Sequence, residues 1–182
     1  MINQGKIHTE AIKSIIDNQY IDEIINVLEN SISKNKKILI CGNGGSASDS
    51  NHIAAEFVGR FERDRNPLNA ISLSSNISLI TAIANDFGFE HIFSRQVEGI
   101  SDEGDVLIAI STSGKSKNIL NAIQCALDLN LHVIFISGNN TKNNFSNNKL
   151  LNIVINSDNT ATIQEAYMFL LHRVVRQIEN NL

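Results

Sequence analysis

The chain has 182 residues, 42% of them hydrophobic, a net charge of −4 and two cysteines. That length and apolar content support one domain with a real core and exclude a disordered chain. The negative balance and the lack of any Lys/Arg block exclude nucleic acid and an anionic membrane surface as partners, and two cysteines make no disulfide framework, which points to a reducing cytoplasm.

In chain order, the N-terminus MINQGKIHTE has neither the basic flank nor the apolar core of a signal peptide, and no apolar run approaches membrane-spanning length. Helical spacing of Ile and Leu predicts two opening helices over 8–18 and 20–33. The apolar run 37–41 predicts a buried parallel strand, and a helix follows over 46–60. Pro67, the one proline, marks the turn before a second strand at 69–74. A helical stretch over 76–99 breaks near Gly88; a strand at 105–110 and a helix at 116–130 come next. Strands at 132–137 and 151–156 flank a polar segment, 138–149, that reads as a surface loop rather than a domain boundary, and a helix over 160–181 ends the chain. Strands alternating with helices imply right-handed crossovers and a parallel sheet. Cys41 at a strand end and Cys125 in a helical pattern read as buried small hydrophobes.

In open parallel sheets ligands bind beyond the carboxyl ends of the strands, so the strand ends carry the chemistry. Strand one ends in Gly42-Asn43-Gly44-Gly45-Ser46, which lets backbone N–H groups approach an anion with a helix N-terminus behind them. Strand three ends in Ser111-Thr112-Ser113-Gly114-Lys115-Ser116. Capping the next helix needs one hydroxyl; four hydroxyls around one glycine make a neutral phosphate cradle. Two other motifs are excluded. A Walker A loop needs a glycine five positions before Gly114, where Ala109 stands. The loop after strand one fits G-x-G-x-x-A, but the second strand ends Leu73-Ser74-Ser75, with no carboxylate to hold a dinucleotide ribose.

The segments CGNGGSASDSNHIAAEFVGR, AIANDFGFEHIFSRQ, AISTSGKSKNI and TIQEAYMFLLHRVV, in this order, resemble the sugar isomerase (SIS) domain. CGNGGS and STSGKS alone mark that class. His52 and Glu56 with Gln164 and His172 narrow the likeness to the phosphoheptose isomerases, which interconvert sedoheptulose 7-phosphate and D-glycero-D-manno-heptose 7-phosphate, the first step towards nucleotide-activated heptose for lipopolysaccharide or capsule. The resemblance implies one SIS domain over 1–182, with N-terminal helices over 1–35 and an α/β core over 36–182. It implies a three-layer αβα sandwich on a five-stranded parallel sheet. It also implies a cytoplasmic homotetramer with active sites at subunit interfaces. Carried over by position, Asn43, Gly44 and Gly45 line the substrate, Ser111, Thr112, Ser113 and Ser116 hold its phosphate, and Asn85 and Asp86 contact the sugar. Glu56 and His172 match the acid/base pair, and Gln164 a substrate contact. His52, Glu56, Gln164 and His172 match the positions that hold zinc. Thr162 departs from the pattern, since relatives often carry Arg there.

The residues support that chemistry by themselves. An aldose–ketose isomerase moves a proton between adjacent carbons through an enediol, and a carboxylate and an imidazole suit the two proton transfers. The alternatives are an ordinary exposed helical pair for His52 and Glu56 and a core histidine for His172, which sits in the apolar FLLHRVV. His8, His91 and His132 have no comparable context and read as surface or structural. Gln164 and His172 lie eight positions apart on one helix, about 12 Å along its axis and about 80° around it, which favours drawing them from two subunits. The other class of function is a non-catalytic SIS binding module, of the kind that associates with a replication initiator. Such a module need not keep both Glu56 and His172.

Overall fold

The computed structural model describes the backbone of residues 2–139 and 145–182 and the side chains of residues 5–139 and 145–182. The elements are α1 (Ile2–Asp17), α2 (Tyr20–Ile32), β1 (Ile38–Cys41), α3 (Gly45–Val58), β2 (Ala70–Ser72), α4 (Ile77–Phe87), a 3₁₀ turn (Phe89–His91), α5 (Ser94–Ile100), β3 (Val106–Ser111), α6 (Lys117–Asp128), β4 (His132–Gly138), β5 (Leu150–Ile155) and α7 (Thr160–Asn181). The strands form one parallel sheet in the order β2-β1-β3-β4-β5.

Strand periodicity divides the core in two. Ile38 and Ile40 of β1, with Val106, Ile108 and Ile110 of β3, face α1, α2, α3 and α7. Leu39 and Cys41, with Leu107 and Ala109, face the opposite layer of α4, α5 and α6. Both sides of each central strand are therefore apolar, which is why these strands read as continuous runs rather than alternating ones. The three-layer αβα arrangement expected from the sequence is the observed one.

The order β2-β1-β3 places the reversal of strand order, the point where successive strands are added on the other side of β1, between β1 and β3. The loops after these two strands open to the same crevice, held level by the β1–β3 register, Cys41 opposite Ala109.

The opening helices both pack against α7 and bury Ala11, Ile15, Ile24, Ile25 and Leu28 in the first core. Large apolar side chains are exposed on α4 and the turn after it, where Ile77 is 75%, Phe87 50% and Phe89 57% exposed, and on α1, where Ile16 is 55% exposed. Two expectations change. Cys41 is fully buried, whereas Cys125 is only half-buried, its thiol close to the Ser94 carbonyl. The segment 138–149 begins one residue later than expected because β4 runs through Gly138; residues 140–144 of it lie outside the described residues.

Candidate active site

The loop after β1 is shaped by glycine. Gly44 has φ +56°, in the left-handed region, and serves as the N-cap residue of α3 with no side chain to cap it. At Gly45 an added Cβ would lie 2.6 Å from the Gln164 amide nitrogen. This close approach seats Gln164, from the first turns of α7, on the N-terminus of α3. The Gln164 amide nitrogen donates to Asp49 Oδ2 (2.7 Å), and the Tyr167 hydroxyl donates to the same oxygen (2.6 Å). Its nitrogen committed to Asp49, Gln164 keeps its carbonyl oxygen for the site. Ser46 Oγ lies 2.9 Å from the Tyr167 hydroxyl. Burial, above all, pushes the Tyr167 phenol far up, so it stays a neutral donor.

Asn43 is fixed from the other loop. Its side-chain amide and that of Asn118, at the start of α6, donate to each other's oxygens at 2.9 and 2.8 Å. Asn118 thus ties the loop after β1 to the loop after β3. In the latter, Ser111 Oγ donates to Ser116 Oγ (3.1 Å), and Ser113 Oγ accepts the Lys115 N–H (3.2 Å). Ser116 is the N-cap residue of α6 by position, yet its hydroxyl makes no capping bond. The hydroxyl cluster therefore does not serve as a helix cap; it faces the N-terminus of a twelve-residue helix, whose N–H groups and dipole favour an anion.

Further along α3, His52 Nε2 and Glu56 Oε1 are 3.1 Å apart. The His172 ring of α7 stands edge-on to the His52 ring, centroids 5.1 Å apart. His172 Nε2 is buried and has no hydrogen-bond partner. Burial, then the neighbouring His52, lowers the His172 pKa; Glu56 works in the opposite direction. His172 is therefore not a satisfied core histidine, and His52–Glu56 is not an isolated surface pair. Helices α3 and α7 run in the same direction, so Asp49 meets Gln164 and Tyr167 near their starts while His52 meets His172 further on. Gln164 and His172 each have their own neighbours on α3, Asp49 and His52, and stand apart as their spacing on one helix requires. An N-capping Asn159 takes up Thr162, accepting both its N–H (3.0 Å) and its hydroxyl (3.3 Å).

Asn85 and Asp86 are not brought to this group. They are exposed on α4, across the sheet from α3 and α7, and the Asn85 amide donates to Asp86 (2.8 Å). Asp49, Tyr167 and Asn118 are site residues that sequence reasoning missed. Zinc fits the donors in kind, two imidazoles and a carboxylate with an orphaned buried nitrogen on His172. As the side chains stand, no group of three or more His, Cys, Asp and Glu among the described residues is arranged to hold a metal ion.

Residues 7–138 match the SIS domain family. A phosphoheptose isomerase of Campylobacter jejuni serotype O:6 is 48% identical over 150 residues, 81% of this chain and 79% of that protein. The chain belongs to the phosphoheptose isomerases of the SIS family. A phosphoheptose isomerase of Synechocystis is 40% identical over 178 residues, covering 95% of this chain and 90% of its own length. The structure of a phosphoheptose isomerase from Francisella tularensis superposes with a TM-score of 0.87 at 32% identity, covering 99% of this chain and all of that one. Within this family the crevice between β1 and β3, and the His52–Glu56–His172 group further along α3 and α7, are the places to look for the chemistry.

Proposed function

We infer that the crevice isomerises sedoheptulose 7-phosphate to D-glycero-D-manno-heptose 7-phosphate. The observation that carries the reading is the seating of His172, its Nε2 buried and unpartnered, beside the His52–Glu56 pair. The phosphate sits at Ser111, Thr112, Ser113 and Ser116, where hydroxyls and the α6 dipole replace basic side chains. Asn43, Gly44, Gly45 and the Gln164 oxygen line the sugar. Glu56 takes the proton from the carbon beside the carbonyl and returns it to the neighbouring carbon, while His172 moves the hydroxyl proton between the two oxygens. A zinc ion, which His52, Glu56 and His172 would hold, would stabilise negative charge developing on the substrate.

The assembly we propose is a homotetramer with composite sites in the cytoplasm. The exposed Ile77, Phe87 and Phe89 are what a neighbouring copy would cover, and Asn85 and Asp86 of that copy would reach the sugar. Two free cysteines suit a reducing compartment, and among the described residues no helix is long and apolar enough to cross a membrane. The product would enter lipopolysaccharide or capsule precursor synthesis. A non-catalytic module is not favoured, because it has no use for His172 poised beside Glu56. The test is an NMR assay of purified protein with sedoheptulose 7-phosphate, with and without chelator, alongside Glu56→Gln and His172→Ala. Each substitution is expected to lower turnover about a hundredfold or more with the fold intact. Near-normal turnover in either would remove that residue from the chemistry.

A further inference from the structure

A second polar network fixes the end of α3, and the proton transfer itself does not use it. Glu179, near the end of α7, is 5% exposed. Its carboxylate accepts three backbone N–H groups of the loop after α3: Phe61 (3.0 Å), Glu62 (2.7 Å) and Arg63 (2.9 Å). Arg65 faces it, Nε 3.4 Å from Glu179 Oε1, with side chains 7% and 2% exposed. The far end of the same guanidinium grips α3. Nη2 donates to the Glu56 carbonyl (2.7 Å) and Nη1 to the Phe57 carbonyl (2.8 Å). Those carbonyls lie in the last turn of the helix, beyond the reach of helical N–H groups. The loop held by Glu179 also carries Phe61, whose ring lies 5.4 Å from the His172 ring, tilted by 31°. One buried ion pair thus fixes the backbone that carries Glu56 and the ring that backs His172.

We propose that Arg65 and Glu179 are positioning residues for the Glu56–His172 pair, setting the distance between carboxylate and imidazole from behind the site. The proposal rests on the reading of Glu56 and His172 as the acid/base pair. Only a planar fork reaches both carbonyls and the carboxylate at once, so Lys at position 65 keeps the charge and loses the geometry. Gln at position 179 keeps the shape but offers one acceptor oxygen where three N–H groups converge. A misplacement on the order of 1 Å at a reacting group costs about a hundredfold in rate.

The experiment compares Arg65→Lys, Glu179→Gln and Glu56→Gln with the wild-type protein. It reads kcat and KM for sedoheptulose 7-phosphate per folded molecule, inorganic phosphate affinity by calorimetry, and the His172 ring proton shift by NMR. The expected result for Arg65→Lys and Glu179→Gln is a kcat lower by about ten- to a hundredfold. KM and phosphate affinity stay within about twofold, and the His172 resonance moves as Phe61 shifts. Activity lost only in proportion to folded protein, measured by circular dichroism, overturns the proposal and leaves the pair a purely structural clamp. Normal turnover in Glu56→Gln overturns the acid/base reading on which the proposal rests. An impaired Glu56→Gln with unimpaired Arg65→Lys and Glu179→Gln overturns the positioning role alone.

Discussion

Replacing Tyr167 by Phe removes one oxygen from a fully buried ring and leaves its packing otherwise unchanged. A phenol has one hydrogen to donate. Asp49 Oδ2, at 2.6 Å, takes it, so Ser46 Oγ at 2.9 Å must be donating to the phenol oxygen. The substitution therefore breaks a bond to a carboxylate, worth about 1.5–3 kcal/mol, and strands the Ser46 donor, for about 1 kcal/mol more. The sum is about 3 kcal/mol, which for a domain of this size lowers Tm by roughly 6–12 °C. The assay is thermal unfolding by calorimetry at fixed protomer concentration, because assembly makes Tm concentration-dependent. KM for the sugar phosphate is expected to rise as well, since Asp49 keeps only Gln164 to hold its position. A Tm drop under about 2 °C would refute the reasoning, showing that the hydroxyl bridges nothing of consequence.

Gly45→Ala is expected to fold, because the atoms its Cβ would meet are the movable end of Gln164; it should raise KM about tenfold or more by pushing that amide off Asp49, measured by steady-state kinetics. Ser111→Ala with Ser113→Ala should weaken sugar-phosphate binding in calorimetry, at about 1.5–3 kcal/mol per hydrogen bond lost to a charged group. Burial pushes the Glu179 carboxyl up, but the N–H groups of Phe61, Glu62 and Arg63, with Arg65, hold it below the usual range. A depressed pKa stabilises the fold above the unfolded value of about 4.3, and that contribution fades as pH falls through the folded value. The stability difference between wild type and Glu179→Gln in urea titrations should therefore shrink as pH falls below about 5. Mixed oligomers of Glu56→Gln and His172→Ala should stay inactive, because the His172 ring stands beside the His52–Glu56 pair of its own chain; activity returning in hybrids confirmed by mass would show that the pair crosses an interface.

The sheet, its helices and the two anion-facing loops could be read from the chain because their signals are local. Ile38 to Cys41 is apolar throughout, and helical spacing shows His52 and Glu56 on one face without any tertiary information. His172 needed the family likeness, since FLLHRVV alone reads as core. Asp49, Tyr167 and Asn118 escaped because their partners come from other elements. Glu179 reaches Phe61 across 118 positions of the chain, and no periodicity announces such a pair. The packing of the opening helices is equally invisible in the sequence: they rest on α7 as well as on the sheet, and the apolar residues of α7 serve α1, α2 and α3 at once.

That placement of α7 has a consequence for the chain as it is made. The hydroxyl cradle after β3 and its helix are complete by Asp128, but Gln164, Tyr167, His172 and Glu179 all belong to the last 22-residue helix. At ribosomal speeds of about 5–20 residues per second, that helix takes roughly 1–4 s to synthesise. Throughout that interval Ile24, Leu28, Ile53 and Phe57 lack the surface they pack against in the finished protein. A nascent chain already carries the phosphate cradle and Glu56 while His172 is still unmade and its first core lies open to chaperones. A stop codon late in the message would cost activity and solubility together.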